Sequence, residues 1–83
     1  MGFLKDAKAN AMGQEARKAA EAGDALFTPF LNTPGSQPNL SSNIRDWALM
    51  IAAIEGEGWR LDQWTVAADT KGRAQAYPLF RRV

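Results

Sequence analysis

"IAAIEGEGWRLDQWTV", residues 51 to 66, decides how this chain is read. It opens with an apolar helical run, stops at glycine-glutamate-glycine, and then sets Trp59 and Trp64 close behind the stop. Ile44, Trp47, Ala48, Ile51 and Ile54 recur at i, i+3, i+4, i+7 and i+10, which defines one apolar face of a helix. Arg45, Asp46 and Glu55 fall outside that face. Asn43 is placed to cap the helix, with Asp46 three residues on as a capping-box partner. Gly56 and Gly58 end it, because glycine enters the left-handed conformation that a helix C-terminus favours, and the chain then reverses into a strand at Trp59.

Downstream, "WRLDQWTVAA" (59–68) and "AQAYPLFRRV" (74–83) flank "DTKGR" and read as a hairpin with a short glycine-containing loop. Strict alternation puts Trp59 and Leu61 on one face but Trp64 and Val66 on the other. Either the strand bulges near Asp62 and Gln63, or both faces are partly covered. In the last strand Tyr77 and Leu79 oppose Ala76, Pro78 and Phe80, and Pro78 prefers an edge. Upstream, "ALFTPFLN" (25–32) has strand chemistry, with Phe27 and Leu31 on one face and Leu26 and Phe30 on the other; Pro29 again points to an edge or a bulge. "TPGSQPNLSSN" (33–43) is a loop, long for so small a chain.

Residues 3 to 22, "FLKDAKANAMGQEARKAAEA", are rich in strong helix formers, and Phe3, Leu4, Ala7, Ala11 and Met12 recur at helical spacing. Gly13 marks a break between two shorter helices, and Gly23 closes the segment. Three roles fit such an alanine-rich stripe: a frayed surface helix, a helix that pairs with its own copy, or a membrane-surface contact through Phe3 and Leu4. The last is disfavoured because Lys5, Lys8, Arg17 and Lys18 are offset by Asp6, Glu15 and Glu21.

The expected fold class is α+β: an N-terminal helical segment (1–23), then a single small domain (24–83) with β-α-β-β order, one helix packed on a three-stranded sheet. A right-handed crossover makes the first and second strands point the same way. With both proline-bearing strands at edges, the Trp59 strand lies in the centre; the competing order puts the last strand there and requires Pro78 to sit at a bulge. One helix covers one sheet face. The other, where some of Phe27, Phe30, Trp64 and Phe80 must lie, then needs the N-terminal helix or a second subunit.

The helix ending "EGEGW", with "RLDQWTV" and the closing "YPLFRRV", resembles small bacterial domains of unknown function that share a helix, "EGWELV" and a last strand ending in phenylalanine and two basic residues. The longer phrase "GWRLDQWTVAADTKGRAQAYPLFRR", with "LNTP" at residues 31 to 34, is similar to short actinobacterial proteins that have the same N-terminal helix. Arg60 and Asp62 stand where the broader pattern has an acidic residue and a valine. The resemblance implies the fold and no particular chemistry.

Composition narrows the function classes. The 83 residues allow one domain whose stability margin is thin. There is no cysteine and no histidine, so neither a disulfide nor a Cys/His zinc site is available, and oligomerisation is the remaining common source of stability. The acidic residues show no spacing for an acid-base pair or a hard-metal loop, and Ser36, Ser41 and Ser42 have no histidine to activate them. No catalytic role and no cofactor or metal is expected. No apolar run reaches bilayer-spanning length, and "MGFLKDAKANAMG" lacks the apolar stretch of a signal peptide and the myristoylation pattern, so a cytoplasmic location is expected. Net charge is +1, split as −2 over residues 1–58 and +3 over 59–83. The leading expectation is an interaction module that self-associates, with an unidentified protein partner as an addition; its candidate interface is Trp64, Phe27, Phe30, Phe80, Phe3 and Leu4. Trp47 and Trp59 are expected in the core. The alternative is nucleic-acid binding by Arg60, Lys71, Arg73, Arg81 and Arg82, with Trp64 or Tyr77 stacking on bases.

Overall fold

Two helices and three strands follow one another as α1 (Phe3–Glu21), β1 (Leu26–Phe27), α2 (Arg45–Glu55), β2 (Trp59–Ala68) and β3 (Ala74–Arg82) in the computed structural model, which describes residues 3–35 and 42–83 and their side chains from residue 7 onward. The architecture is α+β, with the N-terminal helix preceding a β-α-β-β unit, as the sequence pattern implies.

The sheet order is β1-β3-β2, with β3 antiparallel to both neighbours. β1 and β2 therefore point the same way, as the crossover predicts, but they are not adjacent. The central strand is the one that carries Pro78, against the expectation that both proline-bearing strands lie at edges. Hydrogen-bond parity explains why this is tolerated. Ala76 and Leu31 exchange two backbone bonds, at 2.8 and 3.0 Å. Alternate residues of an antiparallel strand aim their peptide groups at opposite neighbours, so Ala76, Pro78 and Phe80 address β1 while Gln75, Tyr77 and Leu79 address β2. The donor that Pro78 lacks belongs to the β1 side, and no bond of the β2–β3 ladder is lost. One register carries Phe27 opposite Phe80 and Leu31 opposite Ala76, which sets Pro29 across from Pro78. Neither ring nitrogen has a hydrogen to give. The β1 ladder is accordingly interrupted between Phe27 and Leu31.

Of the two ways to reconcile Trp59 and Leu61 with Trp64 and Val66, the bulge near Asp62 and Gln63 is the one present: Leu61 pairs with Phe80 and Gln63 with Leu79, leaving Asp62 as the extra residue. It reverses the parity of the strand. Trp59 and Leu61 face the helices before the bulge, and Trp64 and Val66, opposite the buried Pro78 and Ala76, face the same way after it.

Both helices lie on this one face. Ile54 of α2, Ala16 of α1, Trp59 and Phe80 form one buried cluster, and Trp47, Met50, Leu31 and Ala76 form a second; Met12 of α1 touches both. The Trp59 indole donates to the Ala16 carbonyl at 3.0 Å, using that oxygen's second acceptor position. Phe27 packs against it at 5.7 Å between centroids, and the Arg82 guanidinium stands 5.1 Å over the ring. The expected core role of Trp47 and Trp59 is thus observed.

Several local expectations are corrected. α1 runs unbroken through Gly13, and its buried positions among the described residues are Ala9, Gly13 and Ala16, while Ala7 and Ala11 are exposed. The small residues form the seam with α2: a Cβ on Gly13 would stand 3.5 Å from the Ala53 Cβ. Alanine and glycine are used here because they let two helices approach closely. The N-cap of α2 is Ile44 and makes no side-chain cap bond, so Asn43 does not cap. Ala48 is exposed, whereas Met50 and Asp46 are buried. Of the two glycines after α2, Gly56 stays right-handed and Gly58 takes the left-handed turn, with φ of 92°.

Position 13 separates close packing from intrinsic helix propensity. Gly13→Ala adds a methyl at ordinary contact distance and is expected to gain up to about 1 kcal/mol; Gly13→Leu forces the helices apart and is expected to lose about 1–3 kcal/mol. Urea unfolding of the two variants beside the parent checks both signs.

Candidate interaction surface

With α1 and α2 on one side, the second sheet face is uncovered by any described element. Its centre is the outward half of β3, where Tyr77 and Leu79 alternate with the buried Ala76, Pro78 and Phe80. Phe30, following β1, stacks on Tyr77 with centroids 6.4 Å apart, and the two rings remain 55% and 42% exposed. Leu26 adds a third exposed apolar side chain. The Tyr77 hydroxyl donates to Gln75 at 3.0 Å. At one end of this face Arg60 pairs across the ladder with Arg81, whose guanidinium donates to Asp62 at 2.7 Å.

A second exposed apolar zone lies on the helix side, where the β2–β3 hairpin extends past the helix layer. Trp64 meets Trp47 edge-on at 5.8 Å and closes a shallow groove with Ile44, Ala48 and Ile51. Val66 lies beyond it and is also exposed.

The candidate interface residues therefore divide. Phe30 is exposed on the open face, and Trp64 is half covered on the helix face. Phe80 is fully buried, and Phe27 is half-buried, packing on Phe80 and Trp59 at 6.2 and 5.7 Å. They belong to the core because β3 is central and its Phe80 column is the one the helices cover. Phe3 and Leu4 stand in the first turn of α1 and lie outside the residues whose side chains are described. Of the loop 33–43, residues 36–41 lie outside the described residues.

The five basic candidates do not form one patch: Arg60 and Arg81 are cross-strand partners, and the other three lie elsewhere. Arg82 faces the helices, stacks on Trp59 and donates to the Ala20 and Asp24 carbonyls, both at 3.4 Å, so its charge sits at the C-terminal end of α1, where a cation is favoured. Arg73 is paired with Asp69 at 2.8 Å in the hairpin loop. Arg60 and Lys71 carry no ion pair among the described residues, at opposite ends of the hairpin.

The acidic groups are structural where their partners are visible. Asp69 organises the hairpin loop: its carboxylate accepts from the amides of Lys71 and Arg73 at 2.8 and 2.9 Å and from the Arg73 guanidinium. The Arg73 amide bond, with help from Lys71, holds its carboxyl below the ordinary value. Glu57, in the turn after α2, accepts two bonds from Arg17 of α1 at 3.1 and 3.2 Å, and these hold the Glu57 carboxyl down and raise the Arg17 guanidinium. Asp46 is a site that periodicity missed. At 3% exposure it accepts from the Gly35 amide at 2.8 Å and from Lys8 at 3.3 Å, tying the loop after β1 to both helices. A carboxylate in the first turn of a helix also suits the helix dipole. Leu26 and Val66 were missed as surface groups as well, and Tyr77, expected only as a base-stacking group, lies on the open face, where the alternation of β3 already placed it opposite Ala76 and Pro78. Among the described residues, no three acidic, cysteine or histidine side chains gather in a way that would hold a metal ion, and no helix is long and apolar enough to cross a membrane.

In comparisons with known proteins, the chain matches no protein-family model, no curated protein and no solved structure.

Asp46→Ala is expected to lose about 1–3 kcal/mol, since it removes the bond from the Gly35 amide and the partly exposed ion pair with Lys8; chemical denaturation at neutral pH measures it. The pH dependence follows from Glu57 and Asp69, whose folded values are both depressed. Their contribution is fully present above their unfolded values, roughly pH 4, and is lost as pH falls through the lower folded values. Urea midpoints should hold steady from neutral pH to about 5 and drop below it, with a shallower drop in Glu57→Gln.

Proposed function

We propose that this chain is a small, non-catalytic interaction module of the cytoplasm that acts by associating, first with a second copy of itself and then with a protein partner. The observation that carries this reading is the one-sided helix layer. Two helices share one face of a three-stranded sheet, so Phe30, Tyr77 and Leu26 on the other face have no covering element among the described residues, and at the hairpin end Trp64, half covered by Trp47, and Val66 are exposed as well. Exposed apolar patches of this kind mark association sites. The absence of cysteine leaves association as the readiest stabiliser of a core this small.

Nucleic-acid binding has weaker support. Arg82 is engaged with Trp59 and the end of α1, and Arg73 and Arg81 have carboxylate partners, so that of the five candidates Arg60 and Lys71 have neither kind of partner among the described residues, and they stand at opposite ends of the hairpin. Tight binding to a phosphate backbone requires several cations acting together.

Molar mass by light scattering over a concentration series, at low and high salt, tests the proposal. A dimer or larger assembly that persists in high salt is the expected result, because the uncovered groups are apolar. A monomer at every concentration would overturn it.

A further inference from the structure

Resting on the reading that the chain self-associates, we infer that the second copy docks on the outer edge of β2, pairing the two β2 strands antiparallel about a two-fold axis at Val66. β2 is an edge strand of ten residues, far longer than the other edge, β1. The parity that aims Tyr77 and Gln75 at β2 means that Thr65 and Ala67 address β3, while Trp64, Val66 and Ala68 aim their amides and carbonyls outward. The bond from the Asp69 amide to the Arg73 carbonyl, at 2.8 Å, continues the same alternation.

The two halves of this edge are treated differently. Near Trp59 it is protected: the bulge at Asp62 interrupts it, Arg60 and Asp62 place charge beside it, and the outward Leu61 amide is taken by the Glu55 carboxylate at 3.1 Å. Bulges, charges and side-chain caps are the devices by which monomeric sheets avoid edge pairing. From Gln63 to Ala68, "QWTVAA", none is present. The segment has no charge, no proline and no glycine, and among the described residues nothing bonds to the outward groups of Trp64, Val66 or Ala68. The side chains of that same half are the exposed ones, Trp64 at 48% and Val66 at 50%.

A second copy is the occupant these features fit. An antiparallel edge is its own complement under two-fold symmetry, and an uncharged edge meets no repulsion from its twin. Centred on Val66, the pairing matches Val66 with Val66 and each Trp64 with the partner's Ala68, large against small. It engages all three outward residues of each chain in about six backbone bonds and stops short of the bulge. The two sheets become one continuous sheet in the order β1-β3-β2-β2-β3-β1.

Val66→Pro is the discriminating variant. It removes only a donor that points away from β3, so the hairpin ladder survives, as β3 survives Pro78. Sedimentation equilibrium of the parent, Val66→Pro and the open-face variant Tyr77→Glu is expected to show a dimer, at least about tenfold weaker dimerisation, and parent-like dimerisation, respectively. Residue-resolved amide exchange of the parent supplies a readout that needs no variant: the Val66 and Ala68 amides should slow by about tenfold or more as the dimer forms, while Lys71 in the hairpin loop does not change. A parent dimer that Tyr77→Glu abolishes and Val66→Pro does not, or exchange at Val66 that ignores concentration in a confirmed dimer, overturns edge pairing while self-association stands. A monomeric parent overturns both.

Discussion

The structure depends on one side chain being enclosed from every direction. Trp59 begins β2 immediately after the Gly58 turn, donates its indole hydrogen to α1 through the Ala16 carbonyl, packs on Ile54 of α2 within the same cluster, and receives Phe27 from β1 and Arg82 from β3. An indole buries roughly 200 Å², a large part of the apolar area available to so short a chain. Its single polar atom needs a partner once water is gone, and α1 supplies it through the Ala16 carbonyl. The indole thus specifies where the N-terminal helix must lie: beside α2, on the covered face, with Ala9, Gly13 and Ala16 at the seam.

That placement makes the molecule one-sided. Two backbone irregularities support it. The bulge at Asp62 returns Trp64 and Val66 to the face that Trp59 and Leu61 already occupy, so the apolar residues of β2 are collected on one side despite an alternation that would split them. The facing prolines let β3 hold the centre, because the two missing donors fall at the same point of the same ladder. The cost is concentrated in β1, which pairs for two residues and then only at Leu31. The open face and the far half of β2 remain exposed among the described residues, and the proposed edge pairing engages the backbone groups of β2 while leaving the open face of Phe30 and Tyr77 uncovered.

Charge plays a supporting part. Arg17 with Glu57 joins α1 to the turn between α2 and β2, Lys8 with Asp46 joins α1 to the start of α2, and Asp69 shapes the hairpin loop. Each pair links elements that the apolar seam has already brought together, so each secures a register more than it drives folding. The basic residues that the sequence gathers near the C-terminus are spread by the sheet over two faces and a loop, because neighbouring residues of a strand point to opposite sides. Proximity in sequence did not become a patch in space.

What the sequence determined by itself is what short-range physics controls. The α+β class, the bounds of β2, the hairpin, the shared side of Phe27 and Leu31 and the burial of Trp47 and Trp59 all follow from periodicity, turn residues and side-chain size within a few positions of each other, while the bulge near Asp62 is one of two ways to reconcile Trp59 with Trp64. Tertiary structure alone decided the strand order, the shared face of the two helices, the burial of Asp46, and which aromatics are core and which are surface. Pro78 argues for an edge when read alone; only the position of Pro29 across the ladder shows that its missing donor is harmless. The alanines of α1 look like a weak apolar stripe until Ala53 stands against Gly13, since the use of a small residue is set by the partner that approaches it. Phe27, Phe30 and Phe80 are equally hydrophobic in the sequence. Their separation into core and surface required knowing which face of the sheet the indole of Trp59 had drawn both helices to cover.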